Sequence, residues 1–201
     1  MRLGNIILLN GTSSSGKTNI VKALQEVMDE PYLDAGIDKF LWMLPSRYLN
    51  TALWHEVYEY VWPEDGRHEG LAIKAGPLGH RLMSGMHHAI AALSQAGNNV
   101  VADHVLAEPA WVQECAELLA ELPALFVGIR CPLAVLEQRE KNRRDRTLGQ
   151  ARAQLDLVHA HGIYDFEVDT SRYSALDCAL QIKERVETGP PPMAFRRLRD
   201  V

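Results

Sequence analysis

The stretch Gly11-Thr12-Ser13-Ser14-Ser15-Gly16-Lys17-Thr18 decides the fold, because Asn5-Ile6-Ile7-Leu8-Leu9 precedes it and Ile20, Val21 and Leu24 follow at helical spacing. A short apolar run bounded by a turn reads as a buried strand, and the spacing after Gly16 reads as a helix. The loop between them carries the G-x-x-x-x-G-K-[ST] pattern of a Walker A motif, or P-loop. Such a loop curls so that successive backbone N–H groups point inward at phosphate, which Gly11 and Gly16 permit. Thr12, Ser13, Ser14 and Ser15 complete the curve. Lys17 sets a point charge on the β- and γ-phosphates, Thr18 offers its hydroxyl to Mg²⁺, and the helix start adds a positive end. The expected ligands are ATP and Mg²⁺.

Strand-like runs recur at Asn5 to Leu9, Tyr32 to Ile37, Asn99 to Asp103, Ala124 to Arg130 and Phe166 to Asp169, with helical patterns between them. That alternation predicts an α/β fold with a five-stranded parallel sheet and helices on both faces, in three layers. Pro77 opens a helix whose apolar stripe is Leu78, Leu82, Met86, Ala89, Leu93 and Ala96, and Gly97 ends it. Pro109 and Pro132 open two more, and Ser174 with Asp177 resembles a capping box. From Pro45 to Gly76 the pattern turns polar and aromatic, with Tyr48, Trp54, Tyr58, Tyr60 and Trp62. This insertion suits a small-molecule pocket, a contact in a homo-oligomer, or simple packing of the segment on itself. After Thr188 the run Gly189-Pro190-Pro191-Pro192 and the basic Phe195-Arg196-Arg197-Leu198-Arg199 predict a mobile or partner-docking tail.

The 201 residues fit one domain, and 47% hydrophobic with 23% charged residues indicates a soluble globular chain. No apolar run is long enough to span a bilayer, and no signal-peptide pattern opens the sequence, which predicts a cytoplasmic protein without a membrane partner. The net charge of −5 argues against a general nucleic-acid binder. Cys115, Cys131 and Cys178 are widely spaced among apolar neighbours, which predicts buried thiols.

Val100-Val101-Ala102-Asp103 is an apolar strand ending in an acid, so Asp103 joins Thr18 as a candidate metal ligand. The next residue, His104, stands where a hydrolytic ATPase commonly has a water-activating glutamate, and no Asn-Lys-x-Asp run marks a GTPase. Transfer to a hydroxyl acceptor remains. Asp38 follows the second strand, at the sheet edge where open α/β sheets place ligands, and is the candidate general base. An N-cap for a helix starting at Lys39 is the structural alternative, and Asp34 is a weaker competitor. Arg139, Arg143 and Arg146 recur at spacings of four and three beside Arg144, which predicts one basic face on a lid over the phosphates, with a solvated or nucleic-acid-facing surface as the alternative. His159, His161, Tyr164 and Asp165 suggest packing near the nucleotide, and His87 and His88 surface or satisfied packing positions.

The P-loop, Ala35-Gly36-Ile37-Asp38, Val101-Ala102-Asp103, Val127-Gly128-Ile129-Arg130-Cys131, the Arg139 to Arg146 run and Tyr164-Asp165-Phe166-Glu167-Val168-Asp169-Thr170 together resemble the chloramphenicol phosphotransferase family. The similarity covers most of residues 5–187. It implies an adenylate-kinase-like P-loop fold and transfer of the ATP γ-phosphoryl group to a hydroxyl of the antibiotic. It also implies that Asp38 is the base and that Arg139 and Arg143 belong to the lid. The expected organisation is a kinase domain over 1–188, with an acceptor-side insertion at 45–76 and a lid at 139–150, followed by the basic tail at 189–201. The match fades in Pro45 to Gly76 and the tail lies outside it, so the resemblance does not fix the acceptor; the aromatic insertion, with no second obvious phosphate-binding cluster in the sequence, makes an apolar or aromatic molecule bearing a hydroxyl the preferred acceptor. Two other readings stay open. One is a nucleotide or nucleotide-sugar kinase of zeta-toxin type, in which Arg47, Arg67 or Arg81 grips an acceptor phosphate. The other is a non-catalytic nucleotide-dependent switch.

Overall fold

The computed structural model of the chain describes residues 2–49, 51–61, 72–143 and 148–200. The first strand, β1 (Ile6–Asn10), lies at the centre of a five-stranded parallel sheet. From one edge to the other the strands run β2 (Tyr32–Asp34), β5 (Asn99–His104), β1, β6 (Ala124–Arg130) and β7 (Phe166–Asp169). Every residue of β1 is buried because a central parallel strand is covered on both faces. Side chains alternate across the sheet, so Ile6 and Leu8 enter one core while Ile7 and Leu9 enter the other.

The helices α1 (Lys17–Val27) and α7 (Ala175–Thr188) close the second face, burying Ile20, Val21, Leu24, Ala179 and Ile182. Ser174 and Asp177 form the expected capping box on α7. The first face is covered by α3 (Pro77–Gln95) and α4 (Pro109–Leu119). The described part of the aromatic segment adds two short 3₁₀ turns (Ser46–Tyr48 and Ala52–Glu56) and a two-stranded antiparallel ribbon, β3 (Tyr58–Val61) with β4 (Ala72–Ala75). Two short elements, α5 (Leu133–Asn142) and α6 (Gln150–Val158), pack on each other through Leu136 and Ala151. The three cysteines are buried and free. Among the described residues no helix is long and apolar enough to cross a membrane.

Two sequence expectations are overturned here. The buried stripe of α3 is Gly79, Met83, Met86, His87, Ile90, Ala91 and Ser94, about one residue round from the expected face, and Ala96 is exposed. Close approach selects a small residue here, since Gly79 sits where a Cβ would strike the carbonyl of Val57 at the end of the second 3₁₀ turn. The tail is not mobile. Its last turns form α8 (Ala194–Arg199), which buries Ala194, Phe195 and Leu198 in the first core. Phe195 stacks on Phe126 with ring centroids 4.7 Å apart. Asp165 Oδ1 accepts hydrogen bonds from the Met193 and Ala194 amides at 2.6 and 2.9 Å, while Oδ2 accepts from Phe126 N at 3.0 Å. The basic character of the segment faces outward, where Arg196 and Arg199 meet Glu121.

Candidate active site

The P-loop leaves β1 at Gly11, where a Cβ would press on the Ile129 carbonyl and on Ser15 Oγ, both 2.9 Å away. Ser14 adopts a left-handed conformation at φ 62° and Gly16 another at φ 94°, the backbone reversals that turn the loop into α1. Lys17 is buried, and its Nζ donates to the carbonyls of Gly11 and Thr12 at 2.8 and 2.7 Å, which holds the ammonium across the loop. The hydroxyls of Thr12, Ser14 and Ser15 are buried and meet no hydrogen-bond partner among the described residues. The amide of Ser13 donates to Gln154 Oε1 at 2.7 Å. A concave loop with buried polar groups, a lysine and a helix start is chemically suited to an anion.

Thr18 Oγ1 donates to Asp103 Oδ2 at 3.0 Å, so the two candidate metal ligands do meet. Gly36, the N-cap of α2 (Ile37–Leu41), makes that meeting feasible, because a Cβ there would strike Asp103 Oδ1. Burial raises the pKa of Asp103. The Lys17 charge and the Thr18 hydrogen bond pull it down, and the carboxylates of Asp38 and Asp34 push it up again. Asp38 lies in the first turn of α2 and lines the same cavity as Lys17, Thr18 and Asp103. The helix starts at Ile37, with Gly36 rather than Asp38 at its N-cap, so the capping alternative for Asp38 falls away. Asp34 instead accepts from the Gly36 amide and pairs with Lys39.

The arginines separate. Helix α5 ends at Asn142, and Arg143 is its C-cap in extended backbone, so Arg139 and Arg143 do not share one continuous helical face. Arg139 donates to Thr170 Oγ1 at 3.0 Å and to the Thr170 carbonyl at 2.6 Å, and reaches the Ser14 and Ser15 carbonyls at 3.5 Å. It braces the outer side of the P-loop. Arg143 lines two cavities that meet at Ser14, Gly16 and Asn19. Arg144 and Arg146 lie outside the described residues.

The larger cavity, about 500 Å³, continues from the P-loop past Asp38 to walls of Trp42, Trp54, Tyr58, Tyr60 and Trp111. The insertion thus supplies much of the wall, and the ribbon that carries Tyr58 and Tyr60 was not apparent from sequence. The smaller, about 490 Å³, runs beside Arg139, Thr170 and Ser174. Neither Arg47, whose guanidinium lies 5.2 Å from the Tyr48 ring centre, nor Arg81 lines the larger cavity, and Arg67 lies outside the described residues. Three site residues carried no sequence signal of their own. Gln154 reaches the P-loop, Gln150 Nε2 donates to Tyr60 Oη at 3.1 Å, and Glu108 lines the far wall. The periodicity of α6 shows that Gln150 and Gln154 share a face, but not what that face meets.

The polar group before β7 serves packing at the end of β1. Tyr164 Oη accepts from Asn10 Nδ2 at 2.8 Å and meets His159 Nδ1 at 2.7 Å, with burial lowering His159 to about 4. Of the two histidines expected at surface or satisfied packing positions, His87 is a fully buried packing residue and His88 is exposed. His87 pairs with Glu114 through Nδ1 and with His104 Nε2 at 2.9 Å through Nε2. Burial lowers both pKa values, that of His104 furthest, and the Glu114 contact only partly offsets this for His87. Both therefore stay neutral in the fold at pH values where the unfolded chain takes up protons. Unfolding then binds protons, and stability falls as the pH drops below about 6.5. Urea midpoints at about pH 7.5 and about pH 5.5 test this: a lower midpoint at the acid value is expected, and an equal or higher one contradicts it.

Comparison with known proteins bears on this geometry. The family model described as chloramphenicol phosphotransferase-like protein matches residues 4–187. A Mycobacterium tuberculosis protein provisionally named an O-phosphotransferase, found in two strains, is 34% identical over 199 residues, spanning 98% of this chain and 88% of its own. Among solved structures, an APS kinase from Mycobacterium tuberculosis in complex with AMPPNP and APS is similar at TM-score 0.59 and 14% identity, over 94% of this chain and 100% of that one. A tunicamycin resistance protein from Deinococcus radiodurans is similar at TM-score 0.59 and 17% identity, over 94% of this chain and 99% of that one. At such identities these two likenesses speak to the P-loop kinase fold.

Proposed function

This chain belongs to the chloramphenicol phosphotransferase-like family, a family of phosphotransferases acting on small molecules, and from that premise we propose that it moves the γ-phosphoryl group of ATP onto a hydroxyl of an aromatic or apolar acceptor. The observation that carries this reading is one cavity that holds Lys17, Thr18 and Asp103 at one end, Asp38 beside them and an aromatic chamber beyond. The P-loop amides and Lys17 take the β- and γ-phosphates. Asp38 accepts the proton of the acceptor hydroxyl as its oxygen bonds to the γ-phosphorus and the bond to the β–γ bridging oxygen breaks, releasing ADP. Arg143, where the two cavities meet, meets the charge on the transferred group, and Arg139 keeps the loop in register.

Thr18 and Asp103 fit a hard divalent cation, since a hydroxyl and a carboxylate 3.0 Å apart are the oxygen ligands that Mg²⁺ takes beside phosphate. The ion supplies charge neutralisation on the β- and γ-oxygens when bound. Gly36 is then a positioning residue. A Gly36→Ala substitution drives Asp103 Oδ1 away from its site and is expected to raise the Mg²⁺ concentration for half-maximal turnover by about tenfold or more. An unchanged Mg²⁺ titration removes Asp103 from the ligand set.

The aromatic chamber favours a hydroxylated aromatic acceptor; of the arginines that could serve a nucleotide-kinase reading, Arg47 and Arg81 do not line it and Arg67 lies outside the described residues. Incubating the chain with γ-labelled ATP, Mg²⁺ and single acceptors tests the class: chloramphenicol, other hydroxylated aromatic compounds, amino sugars and nucleoside monophosphates. Label in a hydroxylated aromatic compound supports the proposal, and label confined to nucleoside monophosphates overturns it.

A further inference from the structure

The far end of the larger cavity has a chemistry of its own. Glu108 is the N-cap residue of α4, yet its side chain makes no capping bond to that helix. It turns instead into the cavity wall, where Oε1 accepts from the Ala75 amide at a long 3.3 Å and Oε2 lies 3.8 Å from His80 Nε2. The side chain is 30% exposed, so the carboxylate is neither sealed in the core nor freely solvated. A carboxylate oxygen has two acceptor positions, and these contacts leave Glu108 with acceptor capacity toward the cavity. Around it the wall is aromatic. His80 packs edge-on against the buried Trp111 ring with centroids 5.7 Å apart, and Trp54 and Tyr58 meet at 5.7 Å.

Tyr58 shares this wall. Burial, and then the negative charges of Asp38 and Glu108, raise the pKa of its phenol, so its ring sits within electrostatic reach of both carboxylates. Two carboxylates thus line the chamber, Asp38 from α2 and Glu108 from the start of α4. The described lysine and arginine side chains that line this cavity, Lys17 and Arg143, stand at the phosphate end. A carboxylate among aromatic rings is an arrangement that attracts an ammonium group, through ion pairing and through the negative faces of the rings. It repels an acceptor that brings a phosphate or carboxylate of its own.

We propose that Glu108, with Trp111, Trp54 and Tyr58, forms an ammonium-binding subsite, and that the acceptor is an amino alcohol whose hydroxyl faces Asp38 while its charged amine faces Glu108. The inference rests on reading this cavity as the acceptor half of a kinase. It makes Glu108 a specificity-determining residue, distinct from the phosphate machinery.

The test compares two probes with the same diol and ring, chloramphenicol and the free amine left when its N-acyl group is removed. Dissociation constants from calorimetry and KM values with Mg-ATP are measured on the full chain, its Glu108→Gln variant and its Glu108→Asp variant. The parent chain is expected to bind the amine about tenfold or more tightly than chloramphenicol. Glu108→Gln should abolish that preference without changing ATP affinity, and Glu108→Asp should keep part of it. Equal binding of the two probes, no binding of the amine, or an equal loss for both in Glu108→Gln overturns the subsite. If the amine binds in a Glu108-dependent way yet no phosphate is transferred to it, the subsite stands and the kinase reading of the chamber fails. Phosphate transfer to both probes with equal KM values upholds the kinase reading and overturns the subsite.

Discussion

An Asp38→Asn variant is expected to bind ATP as the parent chain does and to lose about 10²-fold or more of its transfer rate. The amide keeps the shape of the side chain, and the backbone bond from Trp42 N to the Asp38 carbonyl at 3.0 Å does not depend on it. What the amide loses is the capacity to take a proton from an attacking hydroxyl. The proposed nucleotide contacts, on Lys17, Thr18 and the loop amides, belong to other residues, so the loss should appear in kcat and not in ATP affinity. Rapid-quench turnover with calorimetric ATP binding separates the two. Unchanged turnover removes Asp38 as the base, and a parallel loss of ATP binding shows a structural role instead.

The second large effect concerns stability. Phe195→Ala is expected to destabilise the fold by about 3–5 kcal/mol, since it removes a fully buried aromatic ring stacked on Phe126. Phe126 belongs to β6, next to the P-loop strand, and stacks on His161 as well. The damage therefore reaches the sheet that carries the site. Truncation before Met193 should cost at least as much, because Asp165 then loses the two amides it caps. Urea unfolding measures both, and a change under about 1 kcal/mol in either contradicts the docked arrangement of α8.

Asp38 and Phe195 mark what sequence can and cannot reveal. The P-loop is legible because its constraints are local: Gly11 and Gly16 meet backbone demands that few other residues meet, and the strand before and helix after follow from short-range periodicity. The five strands are legible for the same reason, although β2 ends at Asp34, earlier than expected, since Gly36 must pass close to Asp103. The meeting of Thr18 with Asp103 follows from topology, as β1 and β5 are neighbours in parallel register. The tail misleads because its arginines dominate the composition. Its apolar residues Ala194, Phe195 and Leu198 do carry a helical spacing, but nothing local shows that Asp165 and Glu121 receive it. The same limit hides Glu108 and Gln154, whose partners lie 33 and 141 residues away along the chain. The stripe of α3 misleads because leucines outweigh glycine and histidine in a hydrophobic reading, whereas packing distance chose Gly79 and His87.

On the proposed mechanism the P-loop serves transfer to a hydroxyl and not hydrolysis. Phosphorus NMR of one reaction mixture, holding the chain, ATP, Mg²⁺ and an acceptor that the labelling panel has picked out, tests it most directly. ADP and a new phosphomonoester are expected in equal amounts, with no inorganic phosphate above the enzyme-free control. ADP accompanied by an equal amount of inorganic phosphate, with no phosphomonoester, contradicts the claim.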